Sequence, residues 1–214
     1  MPELTCYDAH LPMPRNKIFV VSLHRSGTQS VDDIFIRSGL KSIHWPVLHG
    51  EVNVQSMVAG RETDLEFLAD KLRPIVDEHD ALSDMPICAL YDVFARRYPD
   101  ALFVATERPA LDWISSVRWH IGTRTLLPYE KAGYWRYLPS RPERLADVND
   151  TELADMHFRH HAELQSFFRD SGRLKLVQLG SPLAGEEICS FLGLPALTMG
   201  KVDVMRQAAA SSVA

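Results

Sequence analysis

The chain has 214 residues, of which 46% are hydrophobic and 24% are charged. These proportions are ordinary for a globular domain, and the length allows one domain with a substantial core. The net charge of −5 argues against a nucleic-acid binder that works through bulk positive charge. The sequence also lacks an apolar run near the roughly 18 residues that a membrane helix needs.

The cysteines give no sign of a disulfide framework or a zinc site. Cys6, Cys88 and Cys189 lie far apart, and no two of them form a C-x-x-C pair. Residues 1–16 carry acids and prolines without an apolar core, which predicts an irregular arm and not a signal peptide. We therefore expect a soluble cytoplasmic protein with no metal, no nucleic-acid partner and no membrane partner.

The first strong element is the apolar run at residues 18–21, which is typical of a strand buried on both faces of a parallel sheet. A short polar loop follows, and a helical pattern then runs from about Thr28 to Arg37. A strand, a loop of small residues and a helix start present backbone N–H groups and the helix dipole to an anion.

This loop departs from the Walker A pattern. Thr28 and Gln29 stand where that pattern has its Lys and its Mg²⁺-binding hydroxyl, and Arg25 supplies a cation earlier in the loop. The loop is therefore predicted to bind an anionic group without a metal. The alternative is an ordinary strand–helix turn with a surface Arg.

Short apolar runs then alternate with segments of helical period. The runs predict strands at residues 41–45, 81–86, 101–106 and 174–179. The helical segments are predicted at residues 57–79, with Pro74 as a kink or break, and at 86–98, 110–120, 151–170 and 186–192. Asp150 or Thr151 is the expected N-cap of the helix that begins near residue 151.

The alternation predicts a single α/β domain over residues 1–214, a three-layer sandwich with a central parallel sheet and a P-loop-like strand-loop-helix. Residues 121–150 interrupt it with interleaved aromatic and basic side chains. This segment is either a lid or acceptor-binding excursion, or a surface helical hairpin.

Two arginines follow the two strongest strands. Arg25 comes after the strand at residues 18–21, and Arg108 follows the strand at residues 101–106. Because ligands of parallel sheets bind beyond the carboxyl ends of the strands, both cations are expected at one edge. The sequence therefore predicts one site with two anionic subsites.

The motifs at these positions resemble those of the sulfotransferases that use 3′-phosphoadenosine 5′-phosphosulfate (PAPS). Arg25 begins the first signature, in which a basic residue, Ser, Gly and Thr follow a strand. In the second signature, Ser116 follows Arg108 by eight residues after another strand. Further matches are Asp84-Met85-Pro86, Tyr98-Pro99-Asp100-Ala101, Arg108-Pro109 through Trp113, and F-L-G-L-P at residues 191–195. The resemblance covers residues 17–120 well and the C-terminal third loosely.

The resemblance implies metal-independent, in-line transfer of a sulfuryl group from PAPS to a hydroxyl or amine of a small-molecule or glycan acceptor. Arg108 and Ser116 would bind the 3′-phosphate. The loop that would bind the 5′-phosphosulfate comprises Arg25, Ser26, Gly27, Thr28, Gln29 and Ser30.

Four features depart from the family pattern. Gln29 replaces a hydroxyl residue, and Glu107 precedes Arg108 where the usual acid follows it. The glycine-rich segment near the C-terminus is missing, and Lys201 with Arg206 are the candidates to replace it. The chain is also short for the family, which predicts a reduced acceptor pocket or one shared within a homodimer.

The resemblance places Asp84 where many sulfotransferases carry the His that acts as a base. Burial would have to raise the pKa of Asp84 for this role, and the alternative is that Asp84 caps the next helix. His44 is the second candidate base, with a structural role as its alternative. His24 either touches the phosphosulfate or is a solvated loop residue. The competing functions are a nucleotide-phosphate kinase or NTPase, and a non-catalytic nucleotide-binding module.

Overall fold

The computed structural model describes residues 16–200. The predicted N-terminal arm up to residue 15 lies outside this range, as do Cys6, Lys201 and Arg206. No helix within the described range is long and apolar enough to cross a membrane.

The central element is a sheet of five parallel strands in the order β2-β5-β1-β6-β7. The prediction of an α/β fold with a central parallel sheet is thus confirmed. A separate antiparallel hairpin pairs β3 with β4. The strands are Ile18–Val20 (β1), Ser42–His44 (β2), Leu48–His49 (β3), Val52–Asn53 (β4), Ala81–Ser83 (β5), Leu102–Glu107 (β6) and Leu174–Gln178 (β7).

Helices cover both faces of this sheet. They are Thr28–Arg37 (α1), Val54–Val58 (α2), Leu65–Glu78 (α3), Tyr91–Arg97 (α4), Ala110–Ile121 (α5), Pro128–Trp135 (α6), Asp150–Phe168 (α7) and Ala184–Leu192 (α8). Short 3₁₀ turns at Ile87–Leu90 and Leu145–Asp147 complete the elements.

Alternate side chains of β1 enter two different cores. Ile18 and Val20 pack in the smaller cluster with residues of α1 and α8. Phe19 packs in the larger cluster with residues of the remaining helices, and its ring stacks on Phe94 with centroids 4.4 Å apart. One strand that is buried on both faces therefore organises the three layers, as the apolar run predicted.

Two helix boundaries differ from the sequence prediction. The expected helix over residues 57–79 is split between α2 and α3, and Pro74 lies inside α3 without ending it. The break comes earlier, where Gly60 adopts a φ of 80° and Asp64 accepts a hydrogen bond from the Phe67 N–H as the N-cap of α3.

The predicted cap of α7 was also wrong. Asn149, and not Asp150 or Thr151, is the N-cap, and its side chain accepts a hydrogen bond from the Glu152 N–H at 2.9 Å. The Glu152 carboxylate in turn accepts from the Asn149 N–H. This reciprocal pair is a capping box, which sets the start of the helix more firmly than the acidic residues inside it.

The segment at residues 121–150 is not a surface hairpin. Tyr134 on α6 is completely buried, and Tyr129, Tyr137 and Leu145 join it in the larger core cluster. The aromatic half of the segment thus forms part of the interior, while exposed basic residues such as Arg141 and Arg144 cover its outside.

Candidate active site at the carboxyl edge of the sheet

Four adjacent strands bring the predicted site residues to one edge of the sheet. His44 ends β2, and Asp84 directly follows β5. Arg25 lies in the loop after β1, and Arg108 directly follows β6. Since β2, β5, β1 and β6 are neighbours in this order, the four side chains lie along one line at the carboxyl edge.

The loop between β1 and α1 presents hydrogen-bond donors that have no acceptor among residues 16–200. Gly27 is the N-cap of α1 with a φ of 86°, and Arg25 also has a positive φ, of 64°. Within residues 16–200, the backbone N–H groups of Gly27, Thr28 and Gln29 donate to no acceptor in the protein. The Ser26 hydroxyl is buried and has no partner there either. Such donors at the positive end of a helix dipole form an anion-binding site.

The last two residues of the predicted loop lie on the first turn of α1. Gln29 and Ser30 are both half-buried, and the Ser30 N–H donates to the Gly27 carbonyl at 3.0 Å. Thr28 is buried. The six residues predicted to form the loop therefore lie in the turn after β1 and in the first turn of α1.

Buried hydrogen bonds hold this loop against β6. The Ser22 hydroxyl accepts from the Thr106 N–H at 2.8 Å, and the Thr106 hydroxyl donates to the Ser26 carbonyl. Leu179 closes the other side, because a Cβ added to Gly27 would lie 2.5 Å from its Cδ1. A side chain at position 27 would therefore have to displace Leu179.

The two arginines meet on this loop. Arg25 Nε donates to the Ser116 hydroxyl at 3.2 Å, and an Arg108 guanidinium nitrogen donates to the Arg25 carbonyl at 3.2 Å. Neither guanidinium forms an ion pair with a carboxylate of residues 16–200. The Glu107 carboxylate instead accepts a hydrogen bond from the side-chain amide of Gln178 at 2.7 Å. The acid that precedes Arg108 thus does not neutralise it, and both positive charges stay available to an anion.

His24 has a structural place in the loop. It is buried, so it is not the solvated residue that one sequence interpretation assumed. Its Nε2 pairs with the Tyr134 hydroxyl at 3.0 Å, and its carbonyl accepts from Trp113 Nε1 at 3.0 Å. Burial, with smaller contributions from His120, Arg25 and Arg124, lowers the pKa of His24 to about 3. His24 is therefore neutral and fixes the loop to α5 and α6.

The two candidate bases are in contact. His44 Nε2 lies 3.3 Å from Asp84 Oδ2, and His44 Nδ1 pairs with the Ser83 hydroxyl at 2.9 Å. The Asp84 Oδ1 atom is buried without a hydrogen-bond partner within the described chain. Burial raises the pKa of Asp84, although His44 acts in the opposite direction. The capping alternative is wrong, because the 3₁₀ turn at Ile87–Leu90 has no side-chain cap.

Sequence reasoning missed His120. Its ring centroid lies 6.1 Å from that of His24, and burial followed by the charges of Arg25 and Arg124 lowers its pKa. The signal was present, because His120 lies four residues after Ser116 on the same face of α5. Position 120 therefore belongs to the same edge as the two arginines.

The Arg124–Glu130 ion pair had no signal in the sequence. The buried Glu130 carboxylate accepts from Arg124 through both oxygens, at 2.6 and 2.7 Å. Glu130 also accepts from the Leu127 N–H at the start of α6. This pair fixes α6 against the loop that follows α5.

The chain belongs to the sulfotransferase domain family, whose model matches residues 17–199. Among solved structures, it is similar to a sulfotransferase from Alicyclobacillus acidocaldarius, with 14% identity, 88% of this chain and 87% of that chain covered, and a TM-score of 0.49. It is also similar to a gluconokinase from Sinorhizobium meliloti 1021, with 18% identity, 85% and 93% covered, and a TM-score of 0.49. The comparison with curated protein sequences gives no match.

Proposed function

We propose that the protein is an enzyme that transfers a sulfuryl group from PAPS to a hydroxyl or amine of an acceptor. The observation that carries this proposal is the convergence of Arg25, Arg108 and Ser116. Two segments distant in sequence supply them, the loop after β1 and the stretch from the end of β6 into α5, and neither arginine is neutralised by a carboxylate of the described chain. Two unpaired cations beside a loop of free N–H groups suit a ligand with two separate anionic groups.

The residues present fit this donor. The buried, unpartnered Ser26 hydroxyl and the free N–H groups of Gly27, Thr28 and Gln29 would bind the 5′-phosphosulfate together with Arg25 and Ser30. Arg108 and Ser116 would bind the 3′-phosphate. The donor supplies an activated sulfuryl group. The loop and Arg25 stabilise negative charge that develops on the transferring and leaving oxygens.

Asp84 and His44 are the proposed proton acceptors. Their contact at 3.3 Å allows a proton from the acceptor group to be shared between a carboxylate and an imidazole. The raised pKa of Asp84 makes its carboxylate a better base than an exposed Asp. Asp84 has a positive φ of 74°, and such strained backbone is often retained at functional sites.

The proposed acceptor is a small molecule or a glycan. Trp45 follows His44, and Trp119 lies beside Arg25 with its ring 6.0 Å from the guanidinium carbon. Both indoles are exposed, by 38% and 64%. Exposed aromatic faces at the edge of the site suit a sugar or a phenol, which stack on such rings. Homodimerisation stays a prediction.

The test is a comparison of thermal shifts. Adenosine 3′,5′-bisphosphate at about 100 times its Kd stabilises a protein by about 2.7 kcal/mol, which raises Tm by about 5–10 °C at this chain length. Loss of one charge-assisted hydrogen bond costs about 1.5–3 kcal/mol of binding. Arg108→Ala should therefore reduce the shift to about a third.

Arg169→Ala is the matched control. Arg169 is exposed at the end of α7, and its side chain makes no hydrogen bond or ion pair within residues 16–200. This variant should keep the full shift. A shift with ATP and Mg²⁺ but none with the bisphosphate would overturn the proposal and favour a kinase or NTPase. Equal thermal shifts with the bisphosphate in Arg108→Ala and Arg169→Ala would show that Arg108 does not bind this ligand.

A further inference from the structure

Three side chains with possible metal-ligand atoms meet at the opposite edge of the sheet, at the end of α3. One nitrogen from each of His49 and His79 and one carboxylate oxygen of Glu78 lie within 4.8 Å of one another. Among residues 16–200, no second group of three His, Cys, Asp or Glu side chains comes together in this way. Sequence reasoning, which looked for cysteine pairs, predicted no metal site.

The position separates this group from the anion-binding loop. Glu78 is the last residue of α3, and His79 lies two residues before β5 begins. The group is thus at the amino edge of the sheet, whereas Arg25 and Asp84 lie at its carboxyl edge. His49 comes from β3 and joins the hairpin to the end of α3.

Hydrogen bonding prepares His79 as a ligand. Its Nδ1 donates to the Ile75 carbonyl at 2.7 Å, which leaves the lone pair on Nε2. Histidines that bind metals commonly donate their other ring nitrogen to a backbone carbonyl in this way, which fixes the tautomer and the ring orientation. The His79 ring is buried and packs edge-on against the His49 ring, with centroids 4.8 Å apart.

The charges around the group also favour a cation. His49 Nε2 lies 2.7 Å from a Glu78 carboxylate oxygen, so an imidazole and a carboxylate already meet at the place where a cation would bind. The carboxyl end of α3 adds the negative end of its helix dipole. Two positive charges oppose this effect. The exposed Lys41 ammonium lies 3.9 Å from a Glu78 carboxylate oxygen, and the Lys17 ammonium donates to the backbone carbonyl of His79 at 2.7 Å.

We propose that His49, Glu78 and His79 bind Zn²⁺ or a similar transition-metal ion, with water completing the coordination. Two imidazole nitrogens and one carboxylate oxygen form a donor set that zinc accepts, and they suit Mg²⁺ and Ca²⁺ poorly because these ions prefer oxygen. The ion replaces the proton between His49 and Glu78. It links the β3–β4 hairpin to the end of α3.

Isothermal titration of the full chain with ZnCl₂ tests this site. We expect one equivalent to bind, and His49→Ala and Glu78→Gln to weaken that binding at least tenfold. Zn²⁺ should also raise the Tm of the parent protein more than that of either variant, since an ion that binds only the native state stabilises it. Mg²⁺ and Ca²⁺ should not displace the bound Zn²⁺.

Asp77→Asn is the matched control. It removes the same charge from the preceding residue of α3, whose exposed side chain makes no hydrogen bond or ion pair within residues 16–200 and is not one of the three ligands. Zinc affinity should be unchanged in this variant. The proposal is overturned if the parent binds no equivalent of zinc, if Asp77→Asn weakens binding as much as Glu78→Gln, or if both ligand variants keep the parent affinity. His79→Ala is avoided, because His79 also bonds to Ile75 inside α3.

Discussion

Replacement of Gly27 by alanine tests the architecture of the anion-binding loop. Gly27 has a φ of 86°, a left-handed conformation that costs a residue with a Cβ roughly 1–2 kcal/mol. The new Cβ would also lie 2.5 Å from Leu179 Cδ1, which must rotate away. An off-rotamer side chain costs about 0.5–1.5 kcal/mol. Lower entropy of the unfolded chain returns about 0.4–1 kcal/mol.

These contributions predict a net loss of about 2 kcal/mol in the free energy of unfolding, or about 4–8 °C in Tm for a chain of this length. Thermal and urea unfolding measure the loss. The displaced Leu179 should also disturb the loop, so the thermal shift produced by adenosine 3′,5′-bisphosphate should fall in the same variant.

Two further variants separate the strain from the clash. Gly172→Ala has a comparable φ of 63° with nothing within 4 Å of the added Cβ, so it should show only the strain and keep the ligand shift. Leu179→Ala removes the clash, and Gly27→Ala should then cost less in that background than in the parent. The reasoning is refuted if Gly27→Ala melts within about 1 °C of the parent, or if its effect is the same in both backgrounds.

Two other substitutions probe the edge of the sheet. Asp84→Asn should raise Tm at pH 7–8, because burial raises the pKa of Asp84 and the stability that its protonated form contributes is lost as pH rises through that pKa. Near pH 4 the gain in Tm should shrink. An equal gain in Tm at every pH would contradict this reasoning. With an acceptor in hand, the same variant should lower the transfer rate by about 10²–10⁴-fold. Tyr134→Phe removes the partner of the buried His24 Nε2 and should cost about 1–3 kcal/mol by urea unfolding, whereas Tyr98→Phe, whose hydroxyl makes no hydrogen bond within residues 16–200, should cost less.

Several features of the site followed from the sequence because they depend on local pattern and on one rule of topology. The run at residues 18–21 indicated a buried strand, and the small residues after it indicated the loop and the start of α1. Arg25 and Arg108 each follow a parallel strand, and parallel strands end at a common edge. Their meeting in the structure, through the Arg25 carbonyl, agrees with that expectation.

The sequence was less informative wherever several local signals competed. Asn149, Asp150 and Thr151 are all acceptable helix caps, and the reciprocal bond with Glu152 decided among them. The aromatic and basic residues at 121–150 were compatible with a lid or acceptor-binding excursion and with a surface hairpin. Only the packing of Tyr134 in the larger cluster shows that the aromatic half of the segment belongs to the core.

The sequence by itself determined the strand-loop-helix around Gly27, the alternation that produces a parallel sheet, and the two arginines at its carboxyl edge. The tertiary structure decided the contact between His44 and Asp84, since it requires β2 and β5 to be neighbours. It also decided that His24 is buried and that Arg108 has no carboxylate partner among residues 16–200, since Glu107 bonds to Gln178. The physical reason is that local pattern fixes the course of a segment, whereas burial and pairing depend on side chains far away in the chain, which only the packed structure brings together.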